Sequence, residues 1–253
     1  MKLASCRVNI APLRSKAEDG AEMVSQLLFG EPVDVLEVAS NWTLVRSAID
    51  GYEGWMDTKQ LLPMSPKEWK RWQDGLGMQG EFLLRITGGG MSQLISRGAY
   101  LPEECDETFQ MGTQNYLVEV VLDDSGSGEE DTFRALVFAY EGSPYLWGGK
   151  SPFGIDCSGY TQQVYRSKGI NLPRDASEQV LHGREIPFDE LEFGDLAFFH
   201  NAGGKVTHVG IVLDEGRIMH AHGWVRNDEL RVEGIWNNDQ QRLTHTLNCV
   251  KRF

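Results

Sequence analysis

Up to residue 122 the hydrophobic and polar positions form short strand-like runs separated by turns. Within the first 62 residues, Pro32–Val38, Trp42–Arg46 and the segment Gly51-Tyr52-Glu53-Gly54-Trp55-Met56 have this character, which is typical of a small all-β barrel or sandwich. The stretch Ser65–Gln73 interrupts it with a helix start, because Ser65 can cap the helix, Pro66 follows it and Glu68 completes a capping box. Short strands with Gly-rich turns then resume.

The remainder of the chain predicts helices followed by an antiparallel sheet. Four apolar residues between 132 and 142 recur at i, i+3, i+4 and i+7, which predicts an amphipathic helix ending at Gly142. A second predicted helix follows Asp156 and stops near Gly169. Three strand-like runs come next: Leu196–Phe199, Val209–Leu213 and Arg217–Ala221. Helices first and an antiparallel meander afterwards is an α+β arrangement.

These patterns predict three domains. Residues 1–63 form a first small all-β module, residues 64–125 a helical linker and a second such module, and residues 126–253 a larger α+β domain. The acidic, Gly- and Ser-rich stretch 123–131 is predicted to be a linker.

Composition and charge exclude several classes of protein. The 253 residues are 41% apolar and carry a net charge of −13 without clusters of Lys or Arg, which disfavours nucleic acids and anionic membranes as partners. No apolar stretch approaches the roughly 20 residues of a membrane span. Leu3–Cys6 is similar to a lipoprotein cleavage tetrad, but two residues precede it, so we predict a cytoplasmic protein. Cys6, Cys105, Cys157 and Cys249 lack C-x-x-C spacing, which argues against disulfides and a zinc site.

Cys157 has the sequence context of a nucleophile. If Asp156 caps the second predicted helix, Cys157 is its first residue, where free N–H groups and the helix dipole favour a thiolate and lower its pKa. The same N–H groups could hold an oxyanion formed by attack on an amide. The alternative is a buried, inert cysteine.

A base for this thiol is predicted from the register of one hairpin. A three-residue loop, with Gly216 in the left-handed region, pairs Leu213 with Arg217. Position 220 then lies opposite the small Gly210 and on the same face as His208. His208 could take the thiol proton while His220 orients its ring. His222 shares the face and rivals His220.

The segments PYLWGGKSPFGIDCSG, THVGIVL and MHAHG resemble the NlpC-type cell-wall cysteine peptidases, a branch of the papain-like fold. In the first module, EMVSQLLFGE and GYEGWM resemble bacterial SH3-like modules. The resemblance implies an α+β papain-like catalytic domain, with helices packed on an antiparallel sheet, preceded by two small all-β SH3-like barrels. It also implies Cys157 as nucleophile, His208 as base and His220 as third residue.

The combination is similar to γ-D-glutamyl-L-diamino acid endopeptidases, also called dipeptidyl-peptidase VI. The resemblance implies a muropeptide substrate, L-Ala-γ-D-Glu-diamino acid with a free N-terminus, cleaved during cell-wall peptide recycling without a metal or an organic cofactor. A carboxylate should lie near the substrate amine, since an unpaired buried charge is costly. The implied substrate-binding residues are Tyr52, Tyr145, Trp147, Asp156, Ser158 and Ser177, with an acid near Glu22.

Structural alternatives stay open for several of these residues. Asp156 could be only a helix cap, Ser177 could fill the first turn of a helix capped by Asp175 and Glu178, and Tyr52 and Trp147 could be packing aromatics. Two other functions also stay open: a papain-like acyltransferase or amidase, and a catalytically inert peptidoglycan-binding protein. The preferred diamino acid and the oligomeric state are not predicted.

Overall fold

The computed structural model describes residues 2–105, 107–122 and 132–253. Their contacts divide the chain into two compact units. The first takes in the described residues up to 122 together with Lys150–Pro152, and the second takes in 132–149 and Phe153–Phe253. The predicted linker 123–131, and with it the domain boundary at 125, lies outside the described residues.

The first unit begins with one antiparallel sheet of seven strands in the order β3-β2-β6-β5-β4-β1-β7. Alternate side chains along β2 enter a core that contains Leu13, Val45 and Met56, as expected for a half-buried strand. A 3-10 turn, Thr58–Gln60, precedes the last strand. The strands are β1 Leu3–Cys6, β2 Ile10–Arg14, β3 Met23–Leu28, β4 Pro32–Ala39, β5 Trp42–Ser47, β6 Glu53–Asp57 and β7 Leu61–Pro63.

Helix α1 (Pro66–Asp74) follows, and its predicted capping box between Ser65 and Glu68 is confirmed. Trp72 of this helix is buried and donates a hydrogen bond from Nε1 to the Gly30 carbonyl at 2.7 Å. The next strands form a four-stranded sheet, β10-β9-β13-β12, and a separate pair, β11-β8. The second SH3-like barrel therefore stays a prediction. The strands are β8 Leu76–Met78, β9 Leu83–Gly88, β10 Met91–Ser96, β11 Tyr100–Pro102, β12 Thr108–Met111 and β13 Gln114–Leu122. Strand β14, Lys150–Ser151, lies in the later segment Lys150–Pro152 that also belongs to this unit.

The second unit combines three helices with a closed antiparallel barrel. Strands β22-β17-β18-β19-β20-β21 follow one another, and pairing of β21 with β22 completes the ring, while β16 adds to β22 from outside. The sequence predicted an antiparallel sheet but not its closure. The helices are α2 Thr132–Phe138, α3 Cys157–Arg166 and α4 Ala176–Gln179; the strands are β15 Gly154–Ile155, β16 Arg184–Ile186, β17 Leu196–His200, β18 Val206–Leu213, β19 Arg217–His222, β20 Trp224–Arg231, β21 Gly234–Asn237 and β22 Arg242–Arg252, with a 3-10 turn at Phe188–Glu190.

Two features of this unit matter for the site. Helix α2 ends at Phe138, earlier than predicted, because the chain turns before Gly142, whose φ is +81°. Helix α3 packs against β18 and β19, and its apolar side chains share a core with Val209 and Met219. Helix α3 therefore lies against the strand pair that carries the predicted histidines. Among the described residues no helix is long and apolar enough to span a membrane.

Candidate active site

Cys157 is the first residue of α3, as predicted. Asp156 caps the helix: its Oδ1 accepts a hydrogen bond from the Gly159 N–H at 2.7 Å. The cysteine is buried, and the backbone N–H groups of Val209 and Ser158 are close enough to its sulfur to favour the thiolate. Val209 directly follows His208 on β18, so this contact places the sulfur beside the strand segment that carries the predicted base.

Asp156 has a second partner that the sequence did not suggest. Its Oδ1 and Oδ2 accept hydrogen bonds from Nη1 and Nη2 of Arg174, at 2.9 and 2.6 Å. The Arg174 side chain is 1% exposed, and its Nη1 also donates to the Ser158 hydroxyl at 3.0 Å. The Gly148 N–H donates to Asp156 Oδ2 at 2.8 Å. Asp156 thus links the start of α3 to the preceding loop through Gly148 and to the segment before α4 through Arg174. The buried pair with Arg174 neutralises the Asp156 carboxylate inside the protein.

The expected lowering of the Cys157 pKa is wrong for the free protein. Burial raises the pKa of the thiol to about 12, and the Asp156 carboxylate acts in the same direction. The two N–H groups and the Arg174 guanidinium oppose this rise without reversing it. The helix N-terminus favours a lower pKa, but the loss of water around the sulfur outweighs it. At neutral pH the group is therefore a thiol, and its activation depends on a base.

The predicted hairpin register is confirmed. Leu213 pairs with Arg217 and Gly210 pairs with His220, and Gly216 has a φ of +66°. His208 Nε2 and His220 Nδ1 lie 2.8 Å apart, so the two rings are hydrogen-bonded. A Cβ on Gly210 would lie 2.8 Å from the His220 Cβ, which explains why the smallest residue stands opposite the histidine.

Both rings are neutral in the folded protein. Burial lowers the pKa of His208 well below its usual range, and the neighbouring His245, His220 and His222 rings add to this effect. Burial also lowers the pKa of His220, against the opposing influence of Asp228. A neutral His208 can accept a proton. Since its Nε2 faces His220, the nitrogen left for the Cys157 thiol is Nδ1.

Sequence reasoning missed the residue behind His220. Asp228 on β20 is buried, and its Oδ2 lies 3.1 Å from His220 Nε2. Arg226 Nη2 donates to Asp228 Oδ1 at 2.9 Å, and Asn237 Nδ2 donates to Oδ2 at 3.3 Å. One signal was available in the sequence. The tight turn at Gly223 places Arg226 opposite His220. Alternate residues of a strand share a face, so residue 228 lies on the same face of β20 as Arg226.

A fourth histidine also belongs to this cluster. The His245 ring stacks on His208 with centroids 4.1 Å apart, and burial lowers the pKa of His245 to about 3. The His222 ring is 4.8 Å from His245, and 6.1 Å from His220. Ring nitrogens of His208, His220 and His245 lie within 4.8 Å of one another, close enough to hold a metal ion. Such an ion would have to displace the hydrogen bond between His208 and His220, and the absence of a metal requirement stays a prediction.

The remaining predicted site residues lie as follows. Burial raises the pKa of the Tyr145 hydroxyl, and the second largest contribution to this rise is electrostatic repulsion from Cys157. The phenol therefore lies near the sulfur. Trp147 is exposed in the same loop, and Ser158 is buried. Ser177 is half-buried in α4, which packs against β18. The proposed capping of that helix by the Asp175 side chain is wrong, because Asp175 makes no capping hydrogen bond.

Tyr52 belongs to the first unit. It is half-buried, and its backbone N–H donates to Asp50 Oδ1 at 3.1 Å. Its part in substrate binding, like that of an acid near Glu22, stays a prediction. So do the roles of the other predicted substrate-binding residues.

Comparison with known proteins agrees with this geometry. Residues 142–244 match the NlpC/P60 family, and residues 13–61 match the bacterial dipeptidyl-peptidase SH3 domain. The chain is 32% identical to a γ-D-glutamyl-L-lysine dipeptidyl-peptidase of Bacillus subtilis, over 78% of this chain and 71% of that protein. It is 28% identical to dipeptidyl-peptidase 6 of Lysinibacillus sphaericus, over 95% and 96%. A crystal structure of an NlpC/P60 family protein from Bacillus cereus covers 99% of both chains with a TM-score of 0.76 at 21% identity, which shows a shared fold.

The fold and the cysteine–histidine site therefore define a papain-like peptidase domain joined to a bacterial SH3 domain. The chain belongs to the NlpC/P60 family of peptidoglycan hydrolases, and its relatives include γ-D-glutamyl-L-lysine dipeptidyl-peptidases.

Proposed function

We propose that this protein is a cysteine peptidase that hydrolyses the amide bond between γ-D-glutamate and an L-diamino acid in muropeptides with a free N-terminal L-alanine. The observation that carries the proposal is the placement of Cys157 at the start of α3, beside the β18 strand whose His208 is hydrogen-bonded to His220. The name of the Bacillus subtilis relative supports the same bond, and the names of both it and the Lysinibacillus sphaericus relative support release of a dipeptide.

In the first step, Cys157 attacks the γ-carbonyl carbon of the D-glutamyl residue. His208 Nδ1 takes the thiol proton as the sulfur–carbon bond forms, because the thiol is not ionised beforehand. Backbone N–H groups at the start of α3 are suited to hold the negative charge that develops on the carbonyl oxygen. The protonated His208 then gives its proton to the leaving amine, and a thioester of L-Ala-γ-D-Glu remains on Cys157.

In the second step, His208 deprotonates a water molecule that attacks the thioester carbon. The sulfur leaves, takes its proton back from His208 and regenerates the thiol, while the dipeptide acid is released. His220 holds the His208 ring in place through both steps, which is the orienting role of the third member of a catalytic triad. No metal or organic cofactor takes part in these steps.

The substrate has a cationic end that needs recognition. We propose that Tyr145, Trp147, Ser158 and Ser177 line the path to Cys157, and that Asp156 contributes negative potential at the amine. Arg174 already neutralises much of that charge, so the phenol of Tyr145 and a further acid should share in the contact. A requirement for a free substrate amine suits an enzyme that recycles small wall fragments in the cytoplasm.

The test is cleavage of L-Ala-γ-D-Glu-L-Lys and of its N-acetylated form, compared by kcat/KM. Acetylation removes the charge and leaves its partner unpaired, which costs about 2–5 kcal/mol, or roughly 30-fold to several thousand-fold in kcat/KM. Comparable values for both peptides would remove the requirement for a free amine. A protein that binds both peptides without cleaving either would be an inert binder, and transfer of an acyl chain to an added amine would indicate an acyltransferase.

A further inference from the structure

The histidine pair continues inward to a carboxylate. His208 Nε2 lies 2.8 Å from His220 Nδ1, and His220 Nε2 lies 3.1 Å from Asp228 Oδ2. Asp228 does not reach the sulfur or the base directly. Its side chain is 2% exposed, and its hydrogen-bonded link to the base runs through the His220 ring.

The surroundings of Asp228 determine the direction of these hydrogen bonds. Burial alone would raise the pKa of Asp228, but the hydrogen bonds from His220 and Arg226 outweigh it and the pKa is lowered. An ionised carboxylate only accepts hydrogen bonds. Arg226 Nη2 donates to Oδ1 and Asn237 Nδ2 donates to Oδ2, so Asp228 presents an acceptor to His220 Nε2.

This acceptor sets the protonation of both rings in turn. A neutral imidazole has one N–H and one bare nitrogen. If His220 carries its proton on Nε2 to reach Asp228, its Nδ1 is bare and accepts the proton of His208 Nε2. His208 Nδ1 is then also bare, and it is the nitrogen available to take the Cys157 proton. The opposite tautomers would put a proton on His208 Nδ1 and leave the thiol without a base.

We infer that Asp228 is a positioning residue of the catalytic reaction: it selects, through His220, the tautomer of His208 that can deprotonate Cys157. This inference rests on the proposed function only in taking His208 as the base. The fixed partners of Asp228 predict that an amide cannot replace it. If an Asn at position 228 turned its NH₂ towards His220, it would force a proton onto His220 Nδ1. If it turned the NH₂ the other way, the NH₂ would meet the Arg226 donor.

The experiment is nitrogen-15 NMR of histidine-labelled protein, full chain and without substrate, combined with peptidase assays. In the wild-type protein we expect His208 and His220 both to carry their proton on Nε2. In Asp228→Asn we expect both protons to move to Nδ1, and kcat to fall by about 10²-fold or more with little change in KM. Asp228→Glu, which keeps an acceptor, should restore the wild-type tautomers and part of the activity.

Asp239→Asn is the matched control, since Asp239 is the exposed partner of the same Arg226, 2.7 Å from Nη2. It should change neither the tautomers nor kcat. A proton on Nδ1 of either ring in the wild-type protein would overturn the inference, and so would a loss of activity in Asp228→Asn with unchanged tautomers. The wild-type spectrum gives an answer even if a variant fails to fold. Because the tautomers are measured without substrate, a wrong substrate proposal would leave them as expected and appear only as slow cleavage of the peptide.

Discussion

Replacing Arg174 by Met tests whether the buried ion pair at the start of α3 holds the second unit together. The side chains of Arg174 and Asp156 are 1% and 6% exposed and are joined by two hydrogen bonds of 2.9 and 2.6 Å. Met keeps most of the volume of the Arg stem but carries no charge. The variant therefore leaves the Asp156 carboxylate buried with its two backbone donors and no cation.

The expected cost follows from that uncompensated charge. Breaking a buried ion pair by removing one partner costs about 3–5 kcal/mol of the free energy of unfolding. Removing both charges, in Asp156→Asn with Arg174→Met, should cost less than the sum of the single changes, because no charge then stays buried without a partner. The two residues touch directly, so we expect a coupling of about 1–3 kcal/mol in the double-mutant cycle.

The assay is urea unfolding of the full chain, followed by tryptophan fluorescence and far-UV circular dichroism. Arg231→Met is the matched control: Arg231 makes an equally bidentate pair with Glu229, at 2.8 and 3.0 Å, but on the surface of the same unit. Its loss should have little effect, since water screens an exposed pair. If Arg174→Met were no more destabilising than Arg231→Met, or if the cycle were additive, the pair would not stabilise the fold as argued.

Three further predictions concern the histidine cluster. His208→Ala should lower kcat by about 10³-fold or more, His220→Ala less, and His222→Ala least, as measured by steady-state kinetics; a larger loss for His222 than for His220 would assign the orienting role to His222. Gly210→Ala should lower both kcat and the melting temperature, because its Cβ would lie 2.8 Å from the Cβ of His220; normal activity in this variant would show that the ring has room to move. The folded-state pKa values of His208 and His245 are lowered, so below about pH 6.5 the unfolded chain binds more protons than the folded chain. The stabilising contribution of these two histidines is therefore present above that pH. It is lost as pH falls, by about 1.4 kcal/mol of unfolding free energy per pH unit for each histidine. His245→Asn should reduce the slope of unfolding free energy against pH between about 6 and 4, and an unchanged slope would contradict the burial argument.

The parts of the site that are local in sequence could be predicted. Asp156 as a helix cap and Cys157 as the first helical residue follow from adjacent residues. The pairing of Gly210 with His220 follows from a loop whose length and Gly216 fix the register. Each of these depends on a few neighbouring positions and on backbone rules that hold in any fold.

The parts that depend on tertiary closure could not be predicted. His245 reaches His208 because β22 pairs with both β17 and β21 and closes the barrel. Arg174 meets Asp156 across a loop without periodic pattern. The pKa of Cys157 was predicted in the wrong direction because it depends on how completely the surrounding core excludes water, which no local motif specifies.

The most direct test of the central claim is mass spectrometry of wild-type protein quenched in acid during turnover of L-Ala-γ-D-Glu-L-Lys, followed by peptide mapping. We predict an adduct with the mass of an L-Ala-γ-D-Glu acyl group on Cys157, and free lysine as the first product. An adduct on Cys6, Cys105 or Cys249, or release of alanine in place of lysine, would contradict it.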